Sequence, residues 1–193
     1  VPGQLARENK KFIYGAVRKG ARAKDFEIAI QWLVDAGLVY KVNRVRDLKL
    51  PLRFYSDSNA FKLYLLDVGL LGAMTDAPAA SILIGDNIFS EYKGAFTENY
   101  VLQQIVTIPN RPTYYYSKDN STQKLDFVVQ KDNIIYPIEV KAEENVKSKS
   151  LAACITHDFK DYNLHGIRFS MKGFKEQDWM TNIPLYAARA FII

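Results

Sequence analysis

The apolar positions of this chain follow three successive rhythms. In "AKDFEIAIQWLVDAGLV", Phe26, Ala29, Ile30, Leu33 and Val34 recur at helical spacing and Gly37 stands where the pattern stops, so a helix is predicted here. A helix at 3–10 and a short one around 14–19 are expected before it. After it, "LVYKVNRV" and "LPLRFYS" are β-rich runs separated by the polar "RDLK", which reads as a hairpin. "AFKLYLLDVGLLGAM" is apolar enough to be a buried connector, and "TDAPAASILIGDN" reads as turns and a short helix around Pro78 and Gly85. From Phe89 the order is a long helix ("FSEYKGAFTENYVLQQIV"), three strands ("TYYYSK", "KLDFVVQ", "NIIYPIEVKA"), a helix ("KSLAACITHDFKDY") and a strand ("GIRFSM"). A closing piece, "IPLYAARAFII", reads as an edge strand or short helix.

These elements predict an α/β chain of the α+β kind with a mixed central sheet. Three helices followed by a basic hairpin outline a winged helix-turn-helix over 1–56, with a connector at 57–86 and an α-β-β-β-α-β domain at 87–193. No apolar run reaches the roughly 18–20 residues that a bilayer span needs, so no membrane partner is expected. A lone Cys154 cannot form an internal disulfide and fits a reducing cytoplasm.

Charge adds an asymmetry. Residues 1–77 carry 13 Lys/Arg against 8 Asp/Glu, whereas 78–193 carry 13 of each, so the excess of +5 is N-terminal. Lys41, Arg44, Arg46, Lys49 and Arg53 lie in the hairpin and suggest a polyanionic partner such as DNA, or else a solvated face. The candidate recognition helix argues against major-groove reading, because Asp25, Glu27 and Asp35 outnumber Lys24.

Three carboxylates fall on apolar surfaces. Steps of about 100° per residue place Glu98 in a stripe with Gly94, Ala95, Val101, Leu102 and Ile105. Strand alternation sets Asp126 into an otherwise apolar run and puts Glu139 and Lys141 on one face of the next strand. The short "KDN" link makes those strands antiparallel neighbours, so Asp126 can come near Glu139. Adjacent carboxylates repel unless a cation lies between them, and Mg²⁺ or Mn²⁺ suits their hard oxygens. Lys141 could then orient an attacking water or meet charge on a phosphate. Glu98 could equally form a buried ion pair, and Glu-x-Lys could be cross-strand decoration. Two histidines and one cysteine leave little for zinc.

The order α-β-β-β-α-β with Glu98, Asp126 and Glu139-Val140-Lys141 resembles the PD-(D/E)XK restriction-endonuclease-like superfamily over about 89–171. More narrowly, "QLARENKKFIYGAVRKGARAKDFEIAIQWLVDAGLVYKV", "LPLRFYSDSNAFKLYLLDVGLL", "GAFTENYVLQQI" and "LDFVV…IIYPIEVKA" resemble the domain-of-unknown-function region, DUF4143 type, that follows an AAA-type P-loop ATPase module in prokaryotic proteins. The resemblance implies that Asp126, Glu139 and the Val140 carbonyl bind the metal, Glu98 completes or tunes the site, and Lys141 acts on water. Lys147, Lys149 and Ser150, opening the following helix, could meet phosphate at its N-terminus or equally form a solvated cap. The proline that opens the superfamily motif is missing; Lys124-Leu125 precede Asp126. The start without Met and the missing Walker motif read as a fragment whose ATPase, the place for ATP, lies upstream.

The implied function is Mg²⁺-dependent hydrolysis of nucleic-acid phosphodiesters. The alternative is an inactive nuclease-like scaffold that binds DNA or a protein and couples it to the ATPase; an oligomerisation module is a third reading.

Overall fold

The computed structural model describes residues 5, 11–76, 87–119, 123–143 and 147–191, with side chains in the helix that begins at Asn87 described from residue 92. The expected helix at 3–10, apart from Leu5, and the turns at 77–86 lie outside them. The helices are α1 (Tyr14–Val17), α2 (Ala23–Asp35), α3 (Val68–Met74), α4 (Asn87–Ile105), α5 (Lys149–Ala153) and α6 (Ala188–Phe191). The strands are β1 (Val39–Val45), β2 (Ser56–Leu65), β3 (Thr113–Ser117), β4 (Lys124–Lys131), β5 (Ile134–Val140), β6 (Gly166–Ser170), β7 (Lys175–Gln177) and β8 (Met180–Pro184). They form one mixed sheet in the order β2-β1-β3-β4-β5-β6-β8-β7, an α+β arrangement. No helix among the described residues is long and apolar enough to cross a membrane.

By contacts the chain falls into two compact units, Val1–Val42 with Ala60–Tyr100 and Asn43–Asn59 with Val101–Ile193, whose outlines differ from the segments 1–56, 57–86 and 87–193. In the first unit, α2 starts where the Asp25 carboxylate accepts the Arg22 N–H at 2.9 Å. It ends in a Schellman turn, with Leu38 N–H donating to Leu33 O and Gly37 N–H to Val34 O; Gly37 takes the positive φ of 69° that this turn requires. Ile30 enters a core with Phe12, Val39, Phe61, Leu63, Leu65, Leu71 and Phe96, and Phe26 and Val34 pack on its edge. Leu33, expected on the buried stripe, is exposed.

Two boundaries depart from the pattern. "LPLRFYS" is no strand: Leu52–Tyr55 form a 3₁₀ turn and β2 starts at Ser56. Proline at 51 and the anchor from Leu52 N–H to Gln130 Oε1 (3.2 Å) favour a turn. The "buried connector" supplies the apolar end of β2 and then α3, since a run buried on both faces has no period-2 signature.

The second unit contains the expected antiparallel β4/β5 pair within a longer ladder. β3 pairs with β4 and β4 with β5 antiparallel; β5 pairs with β6, and β6 with β8, parallel. Asp132, at φ 51°, turns the chain between Lys131 and Ile134, which face each other across the β4/β5 hairpin. The helix at 149 is α-helical only to Ala153 and continues as a π-helix, Cys154–Asp158. Leu151, Cys154 and Ile155 pack there with Leu125, Val128, Ile135 and Met180. Gly166 lets β6 approach this layer: a Cβ there would sit 2.7 Å from Ile155 Cδ1 and 3.0 Å from Met180 Cβ. β7, paired with β8, has no counterpart in the sequence reading.

Candidate active site

The β4/β5 hairpin brings Asp126, Glu139 and Lys141 together in the second unit. Phe127 faces Ile138 at the end of the β4/β5 ladder, Asp126 and Glu139 each lie one residue beyond that pair, and the Asp126 carboxylate reaches the β5 backbone there. Both carboxylates are 6% exposed, hidden because each strand is covered on both faces. Asp126 Oδ2 accepts the Val140 N–H at 2.8 Å, which fixes its carboxylate against the neighbouring strand. The Lys141 ammonium lies 2.7 Å from Glu139 Oε1. Glu139 Oε2 is buried with no hydrogen-bond partner among the described residues. A buried, bare anionic oxygen costs free energy that one ammonium on the other oxygen only partly offsets. Lys141 keeps a third of its side chain exposed, so it can reach a bound molecule.

Arg168 and Asn182 extend this pair into a polar row. Glu139 is in register with Arg168 on β6, and Arg168 with Asn182 on β8. Arg168 donates through Nε to Asn182 Oδ1 at 2.8 Å and through Nη1 to Ser148 Oγ at 3.3 Å. Asn182, 1% exposed, also accepts from Ser170 Oγ (2.7 Å) and donates to the carbonyls of Lys172 and Gly173 (3.2 and 2.8 Å). Burial lowers the Arg168 pKa from its ordinary value, and the negative charge of Glu139 works in the opposite sense. The sequence reading missed this row. Its only local signal was an arginine in the middle of the strand "GIRFS".

Glu98 belongs to the first unit. Its carboxylate lies 3.5 Å from the Lys62 ammonium and accepts from Tyr64 Oη at 3.3 Å. Nearby, Asn99 is bonded on both sides to the Leu65 backbone, at 2.9 and 3.1 Å. Among the described residues no group of three or more His, Cys, Asp and Glu side chains could hold a metal ion. Among the described residues the β4/β5 hairpin therefore offers two carboxylates, Asp126 and Glu139, and the Val140 carbonyl.

The basic positions are largely engaged. Arg44 pairs with Asp57 (3.0 Å) and Asp119 (2.6 Å), Arg46 with Asp57 (3.0 Å), and Lys49 with Asp47 (2.7 Å). Lys41 lies over the Phe61 ring at 4.5 Å. A phosphate at Arg44, Arg46 or Lys49 has to compete with a carboxylate already in place. Lys147 and Lys149 are exposed, but the α-helix that follows them has five residues. Cys154 is inert as a nucleophile: burial, with Asp158 nearby, pushes its thiol up to about 12.

A mixed α+β unit with a carboxylate pair, an ammonium and a guanidinium on adjoining strands defines the class of architecture. Residues 93–187 match the family described as Domain of unknown function (DUF4143), and residues 1–81 match Domain of unknown function (DUF8612). The DUF4143-type region expected from the sequence is thus found over the strands that carry Asp126, Glu139 and Lys141, whereas the N-terminal stretches likened to it fall within the second match. No curated protein and no solved structure matches the chain.

Proposed function

We propose that the second unit is a metal-dependent phosphodiesterase centre that hydrolyses nucleic acid. The observation that carries this reading is the bare, buried Glu139 Oε2, one strand from the carboxylate of Asp126 and joined through Oε1 to Lys141. Oxygen donors of this kind fit Mg²⁺ or Mn²⁺, which bind through one or two carboxylates and leave the remaining positions to water and phosphate. Asp126, Glu139 and the Val140 carbonyl would hold the ion. When bound, it supplies Lewis-acid polarisation of the phosphoryl group.

The protein side of the reaction follows from position. The Val140 N–H keeps the Asp126 carboxylate oriented. Lys141, as an ammonium, orients the attacking water and meets the charge that grows on the phosphoryl oxygens while the bond to the leaving ester oxygen breaks. The strand order α4-β3-β4-β5-α5-β6 supports a PD-(D/E)XK-like core. On this reading α1, α2 and the β1/β2 hairpin would hold DNA as a winged helix, and an ATPase would precede this region in the whole protein.

A second reading, an inactive scaffold that binds DNA or protein, is favoured by the restriction of the carboxylate set among the described residues to two. Calorimetric titration of Mn²⁺ separates the readings. Binding to the wild type that disappears in Asp126→Ala supports the centre; no heat in either favours the scaffold. Linear, branched and single-stranded DNA are then incubated with Mn²⁺, with Lys141→Ala as control. Cleavage that persists undiminished in this variant means a contaminating nuclease.

A further inference from the structure

Arg168 is a cation whose partners are neutral. Its Nε and Nη1 donate to Asn182 and Ser148, and no carboxylate of the described residues forms an ion pair with it. A partly desolvated guanidinium is ordinarily matched by a carboxylate or phosphate, because neutral oxygens accept its hydrogen bonds without cancelling its charge. Asn182 cannot turn away, since its own amide is held by two backbone carbonyls, so it fixes the guanidinium at the Nε end. The remaining N–H groups stand in the row next to Glu139, whose Oε2 is likewise unmatched. A cation short of an anion and an anionic oxygen short of a cation occupy neighbouring strands without pairing to each other. That separation is what a charged guest with both signs, a phosphate accompanied by a divalent ion, would fill.

We infer that Arg168 is a substrate-positioning residue: held by Asn182 and Ser148, its guanidinium binds a non-bridging oxygen of the phosphate that lies beside Asp126 and Glu139. This rests on the phosphodiesterase reading and names the group that grips the substrate. The fixed fork of arginine suits two oxygens of one phosphate, and lysine at this position would lose that geometry.

The test uses the whole 193-residue chain and two probes, a fluorescein-labelled DNA duplex and the matching single strand, with affinity followed by anisotropy over a salt series with Ca²⁺ in place of Mn²⁺ and again in EDTA. Arg168→Gln should weaken binding of at least one probe about tenfold or more and reduce the salt slope by about one released counterion. Mn²⁺ affinity, read by calorimetry, should stay within about threefold, and in any cleavage assay KM should rise more than kcat falls. If Arg168→Gln does not fold, Arg168→Lys carries the test with the same probes and should weaken binding about threefold or more. DNA affinity and salt slope equal to wild type in a folded variant overturn the inference. The outcomes separate cleanly from the parent reading: cleavage with no dependence of affinity on Arg168 leaves the nuclease and removes this role. An Arg168-dependent salt slope without Mn²⁺ binding or cleavage removes the nuclease and leaves a phosphate grip.

Discussion

Asp57 and Glu139 lie in the same compact unit and are almost equally hidden, 7% and 6% exposed, yet their surroundings are opposite. Asp57 is saturated: Oδ2 takes Arg44 and Arg46, and Oδ1 accepts the Asn59 N–H at 3.0 Å. Burial raises the Asp57 pKa, but the hydrogen bonds from Arg44, Asn59 and Arg46 outweigh it and hold the carboxyl below its ordinary value. Glu139 has Lys141 on one oxygen and, among the described residues, no hydrogen-bond partner on the other. Burial alone therefore does not mark a site. What separates the two carboxylates is the capacity that Glu139 leaves unused among the described residues, whereas Asp57 has collected its donors.

The largest expected effect is on chemistry. Lys141→Ala should lower DNA cleavage about 10²–10⁴-fold, with a melting curve that overlays the wild type; a rate loss that tracks a lost fold would reduce Lys141 to a structural ion pair. Asp57→Asn works on the other side of the comparison. It should cost about 3 kcal/mol in urea unfolding, since two arginines lose their common anion. A change below about 1 kcal/mol would show that the Asp57 cluster is surface decoration.

The same pair predicts a pH signature. A carboxylate held below its ordinary pKa contributes stability that is complete above the unfolded value, 3.8, and is lost as pH falls through the lower folded value. The stability gap between wild type and Asp57→Asn should be constant near neutrality and close below pH 3.8 in acid unfolding curves. A gap that instead widened on acidification would reverse the assigned sign.

Glu139→Gln should leave stability within about 1 kcal/mol of wild type, because it removes an incompletely matched buried charge along with one ion pair. Mn²⁺ binding should nevertheless fall. Loss of stability on the scale of Asp57→Asn, with Mn²⁺ binding retained, would make Glu139 a structural residue. The smallest effect is expected at Arg46, which is 65% exposed: Arg46→Ala should change unfolding free energy by about 0.5 kcal/mol.

Element order was readable from sequence because each signal was local. The period of α2, its glycine stop and the tight β4/β5 link all lie within a few residues of the structure they specify. That link also made Asp126 and Glu139 neighbours on paper, since a two-residue turn fixes antiparallel register and register fixes which side chains share a face. Less legible were stretches whose local pattern fits two states. The second hairpin strand was placed before Ser56, and the apolar run after it gave no period, because burial on both faces erases alternation.

Hydrophobic spacing, turn chemistry and residue type thus specified α2, the long helix α4, most of the strands and one carboxylate pair. Folding in three dimensions supplied Arg168 and Asn182, which reach Glu139 through parallel pairings whose crossovers leave register unspecified by the chain between. It also supplied the partners of Glu98, Lys62 and Tyr64, more than thirty residues away in sequence. Most of all it distinguished Asp57 from Glu139: sequence can say that a carboxylate will be buried, but how many donors reach each oxygen depends on strands and side chains brought together only on folding.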